Sequence, residues 1–165
     1  MSDAVAMTAL SQRVGTALKS AGVTLATAES CTGGWIAEVV TQTPGSSAWF
    51  ECGFVSYSNG AKVQLLGVSP KTLAKFGAVS EETVAAMASG ALAHCKAGVA
   101  LSVTGIAGPD GGTADKPVGT VCFGWCRRDS KPLTATAHFS GDRTSVRRPS
   151  VVFALEGLIK RLYAA

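Results

Sequence analysis

A run of small and hydroxyl-bearing residues, Ala28-Glu29-Ser30-Cys31-Thr32-Gly33-Gly34, sets the terms for the rest of the chain. Before it lies Val23-Thr24-Leu25-Ala26-Thr27, an apolar, β-branched stretch that reads as a strand. After it lies Trp35-Ile36-Ala37-Glu38-Val39-Val40, which reads as the apolar face of a helix. A Ser, a Cys, a Thr and two Gly therefore sit at a strand-to-helix turn. Small residues there let a ligand approach the backbone, and the helix start offers free N–H donors with partial positive charge. A hydroxyl at such a turn serves as a nucleophile or, more plainly, as a helix N-cap.

The remaining elements follow from periodicity and breakers. Residues 5 to about 20 read as a helix with Leu10, Val14, Ala17 and Leu18 on one face and Gly22 just past its end. The helix after the turn stops before Thr43-Pro44-Gly45. Residues 50–58 read as a second strand, and Asn59-Gly60 turns the chain into a short helix carrying Lys62 and Leu66. Ser69-Pro70 starts another short helix. Ser80 caps a longer one whose stripe is Val84, Met87, Ala88, Ala91 and Leu92, with Gly98 at its end. Residues 99–104 form a buried strand that runs into the glycine-rich loop Gly105-Ile106-Ala107-Gly108-Pro109-Asp110-Gly111-Gly112. Strands over 118–127 and about 133–140 make a hairpin. A helix from Asp142 closes the chain, with Val146, Val152, Phe153, Leu155, Leu158, Ile159 and Leu162 as its apolar residues. Pro149 implies that it bends or that a separate first turn ends near Arg148. This order implies an α/β fold with a mixed sheet and helices on both faces.

At 165 residues the chain is expected to be a single domain spanning 1–165. Apolar residues make up 47% and charged residues 16%, which supports a sizeable core. A net charge of +4 is too mild to imply nucleic-acid binding, and the only Arg-Arg pairs are Arg127-Arg128 and Arg147-Arg148. No run is long and apolar enough to span a bilayer, and the N-terminus lacks a signal-peptide pattern. A soluble cytoplasmic protein is expected, without nucleic-acid or membrane partners. The five cysteines contain no CxxC pair and there are only two His, so buried free thiols are expected rather than a metal site.

Three segments at strand ends hold reactive groups: the turn above, Tyr57-Ser58-Asn59-Gly60-Ala61-Lys62, and Thr104-Gly105-Ile106-Ala107-Gly108-Pro109. In an open α/β sheet, ligands gather beyond the strand ends. Together with Gly77-Ala78-Val79-Ser80-Glu81-Glu82, these motifs resemble the CinA C-terminal domain family in order and spacing, from about residue 8 to 160. Its stand-alone members include the PncC-type nicotinamide-nucleotide amidases. The resemblance implies a three-layer α/β/α sandwich. It also implies hydrolysis of nicotinamide mononucleotide to nicotinate mononucleotide and ammonia, in pyridine-nucleotide recycling, by a homo-oligomer that needs no cofactor. A non-catalytic nucleotide-binding or interaction module of the competence-linked type is the alternative.

Hydrolysing a carboxamide takes a nucleophile, a base that later protonates the ammonia, and donors for the oxyanion. His94 and His138 fall outside the candidate loops, so a Ser–Lys pair is the plausible variant. By resemblance Ser30 is the nucleophile and Lys62 the base. Tyr57 is expected to hydrogen-bond one of them or orient the amide. Cys31 is a competing nucleophile, ranked behind Ser30 because no His lies in these motifs to pair with it. Glu29 could be a surface carboxylate or could orient Lys62, but the preferred reading is a structural role, accepting nearby backbone N–H groups. For the substrate, Gly33, Gly34, Gly105 and Gly108 allow close backbone approach and an anion nest, and Thr32 and Thr104 add hydroxyls. Asn59 joins them through its place in the family motif. Arg143, Arg147 and Arg148 sit at a helix start, where cations oppose the dipole, which hints at phosphate binding. Arg143 is the first choice, because the stretch Ser140-Gly141-Asp142-Arg143 matches the family.

Overall fold

The computed structural model describes residues 3–164. In chain order its elements are α1 (Asp3–Ala21), β1 (Leu25–Glu29), α2 (Trp35–Thr41), a 3-10 turn (Ser46–Ala48), β2 (Phe50–Val55), α3 (Asn59–Leu66), α4 (Pro70–Phe76), α5 (Glu81–Ala93), β3 (Val99–Gly105), β4 (Thr120–Arg127), β5 (Leu133–His138) and α6 (Arg143–Tyr163). The strands order β2-β1-β3-β4-β5 in one sheet. β2, β1 and β3 are parallel, and β4 and β5 follow β3 as an antiparallel meander. This is the mixed α/β sheet expected from the element order.

Each face of the sheet buries its own core. One cluster joins Leu10, Val14 and Leu18 of α1, Ile36 of α2 and Leu155 of α6 to Leu25, Leu101 and Phe123. The other joins Leu66 of α3 and Val84, Met87 and Ala91 of α5 to Ala26, Ala28 and Ala100. Consecutive strand residues thus alternate between the two layers, as the period of two requires. Full burial of a large side chain such as Phe123 or Leu101 contributes roughly 1.5–3 kcal/mol.

Three local expectations are corrected. β2 ends at Val55, not 58. The Ser56 N–H still bonds the Glu29 carbonyl at 2.8 Å, and then the Ser58 hydroxyl accepts the Ala61 N–H at 3.0 Å and caps α3. Asn59 and Gly60 are consequently the first helical residues rather than a turn. α5 ends at Ala93 with His94 as its C-cap, while Gly98 donates its N–H to Thr24 at 3.0 Å as the chain enters β3. α6 is one helix through Pro149, so of the two alternatives the separate first turn does not occur. Proline's φ suits a helix, and the lost N–H costs only the bond to the Ser145 carbonyl. Along α6, Val152 and Phe153 are 36% and 38% exposed, while Val151 and Ala154 take the inward positions. Phe153 still lays its ring 4.5 Å from that of Phe123.

Candidate active site

β1 delivers two neighbouring polar side chains to opposite layers. Its hydrogen-bond ladder runs one residue past its end, because the Ser30 N–H bonds the Val103 carbonyl at 3.0 Å. Ser30 shares the direction of Ala26 and Ala28 and meets α3, whereas Glu29 meets α2. The Glu29 carboxylate is buried. Its Oε1 accepts the Thr32 hydroxyl at 2.7 Å and the Ile36 N–H at 2.8 Å, and its Oε2 accepts the Ala37 N–H at 3.0 Å. Burial raises its pKa, and these hydrogen bonds together with the Gly34 N–H pull the other way. Glu29 is the acceptor of backbone N–H groups that the sequence led us to expect, closing the positive end of α2.

Lys62 lies on α3 and is only 1% exposed. Its Nζ donates to Ser30 Oγ at 3.0 Å and to the Ser56 carbonyl at 2.9 Å, and lies 3.5 Å from the Tyr57 carbonyl. Burial lowers its pKa from the ordinary 10.5. The charge of a Cys31 thiolate would oppose this, but burial pushes that thiol up to about 12, so it stays protonated. With the amine neutral, the same 3.0 Å contact runs in reverse and the Ser30 O–H donates to Nζ. A buried lysine without a carboxylate can thus take the hydroxyl proton. Cys31, 5% exposed with a raised pKa, behaves as a small packing residue.

The pair opens into a cleft of about 270 Å³. Ser30, Tyr57, Asn59 and Lys62 form one side of its lining, and Thr104, Gly105, Gly108 and Arg143 another. The glycine-rich loop adds Asp110, which sequence reasoning passed over. The Thr104 hydroxyl donates to the Ala78 carbonyl at 3.0 Å and so keeps only its lone pairs for a ligand. Arg143 donates to the Gly108 carbonyl at 2.8 Å and to the Tyr57 hydroxyl at 2.6 Å. Tyr57 is 58% exposed and its hydroxyl bridges to Arg143, not to Ser30 or Lys62 as expected.

Thr32, Gly33 and Gly34, expected as substrate contacts, do not line the cleft. Thr32 is fully buried with its hydroxyl proton spent on Glu29. The Gly33 N–H closes the turn on the Ser30 carbonyl at 2.9 Å. Both glycines have positive φ, 61° and 95°, so they shape the turn that a side chain would strain. Arg147, left ambiguous by the sequence, does not line the cleft. Its Nε donates to the Cys31 carbonyl and its Nη2 to the Thr32 carbonyl, both at 3.0 Å. The signal for it was only its charge at a helix start. A second cavity of about 280 Å³ lies at the opposite end of β3, lined by Trp125, Leu133 and Leu158 among others.

The CinA C-terminal domain model matches residues 7–162. The chain is 56% identical over 149 residues to the nicotinamide-nucleotide amidohydrolase PncC of Escherichia coli (strain K12), covering 90% of each protein. It is 49% identical over 154 residues to the protein of the same name from Pseudomonas putida, covering 93% of this chain and 96% of the other. Among solved structures, the competence/damage inducible protein CihA from Agrobacterium tumefaciens superposes with a TM-score of 0.91 at 45% identity, covering 95% of each chain. Motifs, fold and relatives agree, and the chain belongs to the CinA C-terminal domain family.

Proposed function

We propose that this enzyme hydrolyses the carboxamide of nicotinamide mononucleotide, giving nicotinate mononucleotide and ammonia, through a Ser30–Lys62 pair. The observation that carries the reading is the buried Lys62 Nζ, 3.0 Å from Ser30 Oγ, with burial favouring its neutral form. The names of the relatives supply the substrate class.

The course is as follows. Lys62 takes the Ser30 proton as Oγ bonds to the carboxamide carbon. The tetrahedral oxyanion is met by backbone N–H groups at the turn. The N–H groups of Gly33, Gly34, Trp35, Ile36 and Ala37 are already spent on Ser30, Thr32 and Glu29, and Thr32 is fully buried away from the cleft, which leaves Cys31, on the cleft lining, as the donor at the turn. Lys62 returns the proton to the departing nitrogen, the C–N bond breaks, and ammonia leaves. Lys62 then draws a proton from water, which attacks the acyl-Ser30 ester, and returns that proton to Ser30 Oγ as the C–Oγ bond breaks and the acid product leaves. Arg143, on the cleft lining, takes the phosphate, and Tyr57 positions Arg143. The reading extends to a cytoplasmic homo-oligomer working in pyridine-nucleotide recycling.

Ammonia release from nicotinamide mononucleotide, with EDTA present, tests this on the wild type and on Ser30→Ala. Release by the wild type is expected, with at least a ~1,000-fold loss in the variant. Binding without release by the wild type would instead establish a nucleotide-binding module.

A further inference from the structure

Arg147 reaches from the first turns of α6 to the backbone immediately after Ser30, across 116 residues. Nε and Nη2 hold two successive carbonyls, Cys31 and Thr32, at 3.0 Å each. The guanidinium carbon also lies 5.4 Å over the ring of Trp35, the first residue of α2, a cation–π contact beside the hydrogen bonds. A fork pointed at two main-chain oxygens is a geometry that arginine alone among the cations can make.

We propose that Arg147 is a positioning residue for the nucleophile turn. It acts through the peptide planes and not on substrate, and the idea rests on the Ser30 reading above. A trans peptide points its C=O and N–H in opposite directions within one plane. Tying back the Cys31 carbonyl therefore turns the Thr32 N–H away from Arg147. Tying back the Thr32 carbonyl turns the Gly33 N–H the same way, and that N–H is found on the Ser30 carbonyl at 2.9 Å. The fork thus fixes the turn that carries Ser30 and its free donor together. The Ser30 carbonyl, held in turn by the Gly33 N–H, fixes the Ser30–Cys31 peptide, whose N–H on the far side is the oxyanion donor at the cleft. Arg143 is the contrast: it lines the cleft and faces the substrate, whereas Arg147 stands behind the turn.

The test compares wild type, Arg147→Gln and Arg147→Lys by two readouts. The first is steady-state ammonia release against pH. The second is the rate of Ser30 phosphonylation by a fluorophosphonate, followed by intact mass with Ser30→Ala as the blank. Losing one oxyanion donor costs about 100-fold or more in kcat. Arg147→Gln is therefore expected to lose about 100-fold in kcat and a similar factor in phosphonylation. KM should stay within about threefold and the pH midpoint of Lys62 should not move. Arg147→Lys keeps the charge but not the fork, so it is expected to recover folding and not rate. Wild-type kcat in Arg147→Lys would overturn the proposal, as would a raised KM at unchanged kcat. If wild type releases no ammonia, the substrate reading fails, and the phosphonylation rates still decide the role of Arg147.

Discussion

Lys62 is the residue whose chemistry is least like its ordinary self. An amine pushed below its usual pKa by burial is neutral over more of the pH range, and only the neutral amine accepts the Ser30 proton. We expect kcat/KM to rise with pH along a limb that lies below 10.5, and Lys62→Met to abolish both the limb and at least ~1,000-fold of the activity. The stability sign follows from proton counting. With a lowered folded pKa, the unfolded chain binds more protons between the two values, so stability rises with pH across that window and is lost below it. Urea titrations of Lys62→Met should lack this dependence. Cys31, by contrast, sits beside the nucleophile with a thiol held protonated. Cys31→Ala should keep kcat within about threefold, and iodoacetamide should label Cys31 slowly at neutral pH. Ser30 and Lys62 were legible only through family motifs, since nothing local in the sequence brings residues 32 apart to within 3.0 Å. The Tyr57–Arg143 and Arg147 contacts span 86 and 115–116 residues, and no helical or strand period reports such pairings.

At the scale of elements, the strands and the inward faces of α1 and α5 were readable because burial imposes periods of 2 and 3.6. Boundaries slipped where side chains rather than periodicity end an element, as at the Ser58 cap that takes Asn59 into α3. The seat of α3 on α5 depends on a bare position. A Cβ on Gly90 would lie 1.8 Å from the Leu66 carbonyl oxygen, which is backbone and cannot swing aside. Gly90→Ala should shift the end of α3 that follows Lys62, costing about 1–3 kcal/mol by denaturant titration. It should lower kcat with little change in KM, since the helix carries the base and not the phosphate contact.

For the whole molecule, the sheet acts as the frame that gathers the site. β1 supplies Ser30, β3 and its loop supply Thr104 to Gly108, and α3 and α6 supply Lys62 and Arg143 from opposite layers. A ligand that bridges these parts should stabilise the fold by mass action. Ser30→Ala with nicotinamide mononucleotide at 100 times its Kd should gain about 2.7 kcal/mol, read as a rise in Tm. Adding Arg143→Ala should remove most of that rise at the same nucleotide concentration. The alternation at the end of β1 has one more consequence, for any alignment or engineered insertion in this stretch. Inserting a single residue into β1 would carry Glu29 into the slot now held by Ser30, facing Lys62, and push Ser30 on into the turn. The amine would then be locked as an ammonium in a buried ion pair, and the enzyme would be silenced with every motif residue still present. Restoring the count by two residues would keep the parity, so length changes tolerated here should come in even steps.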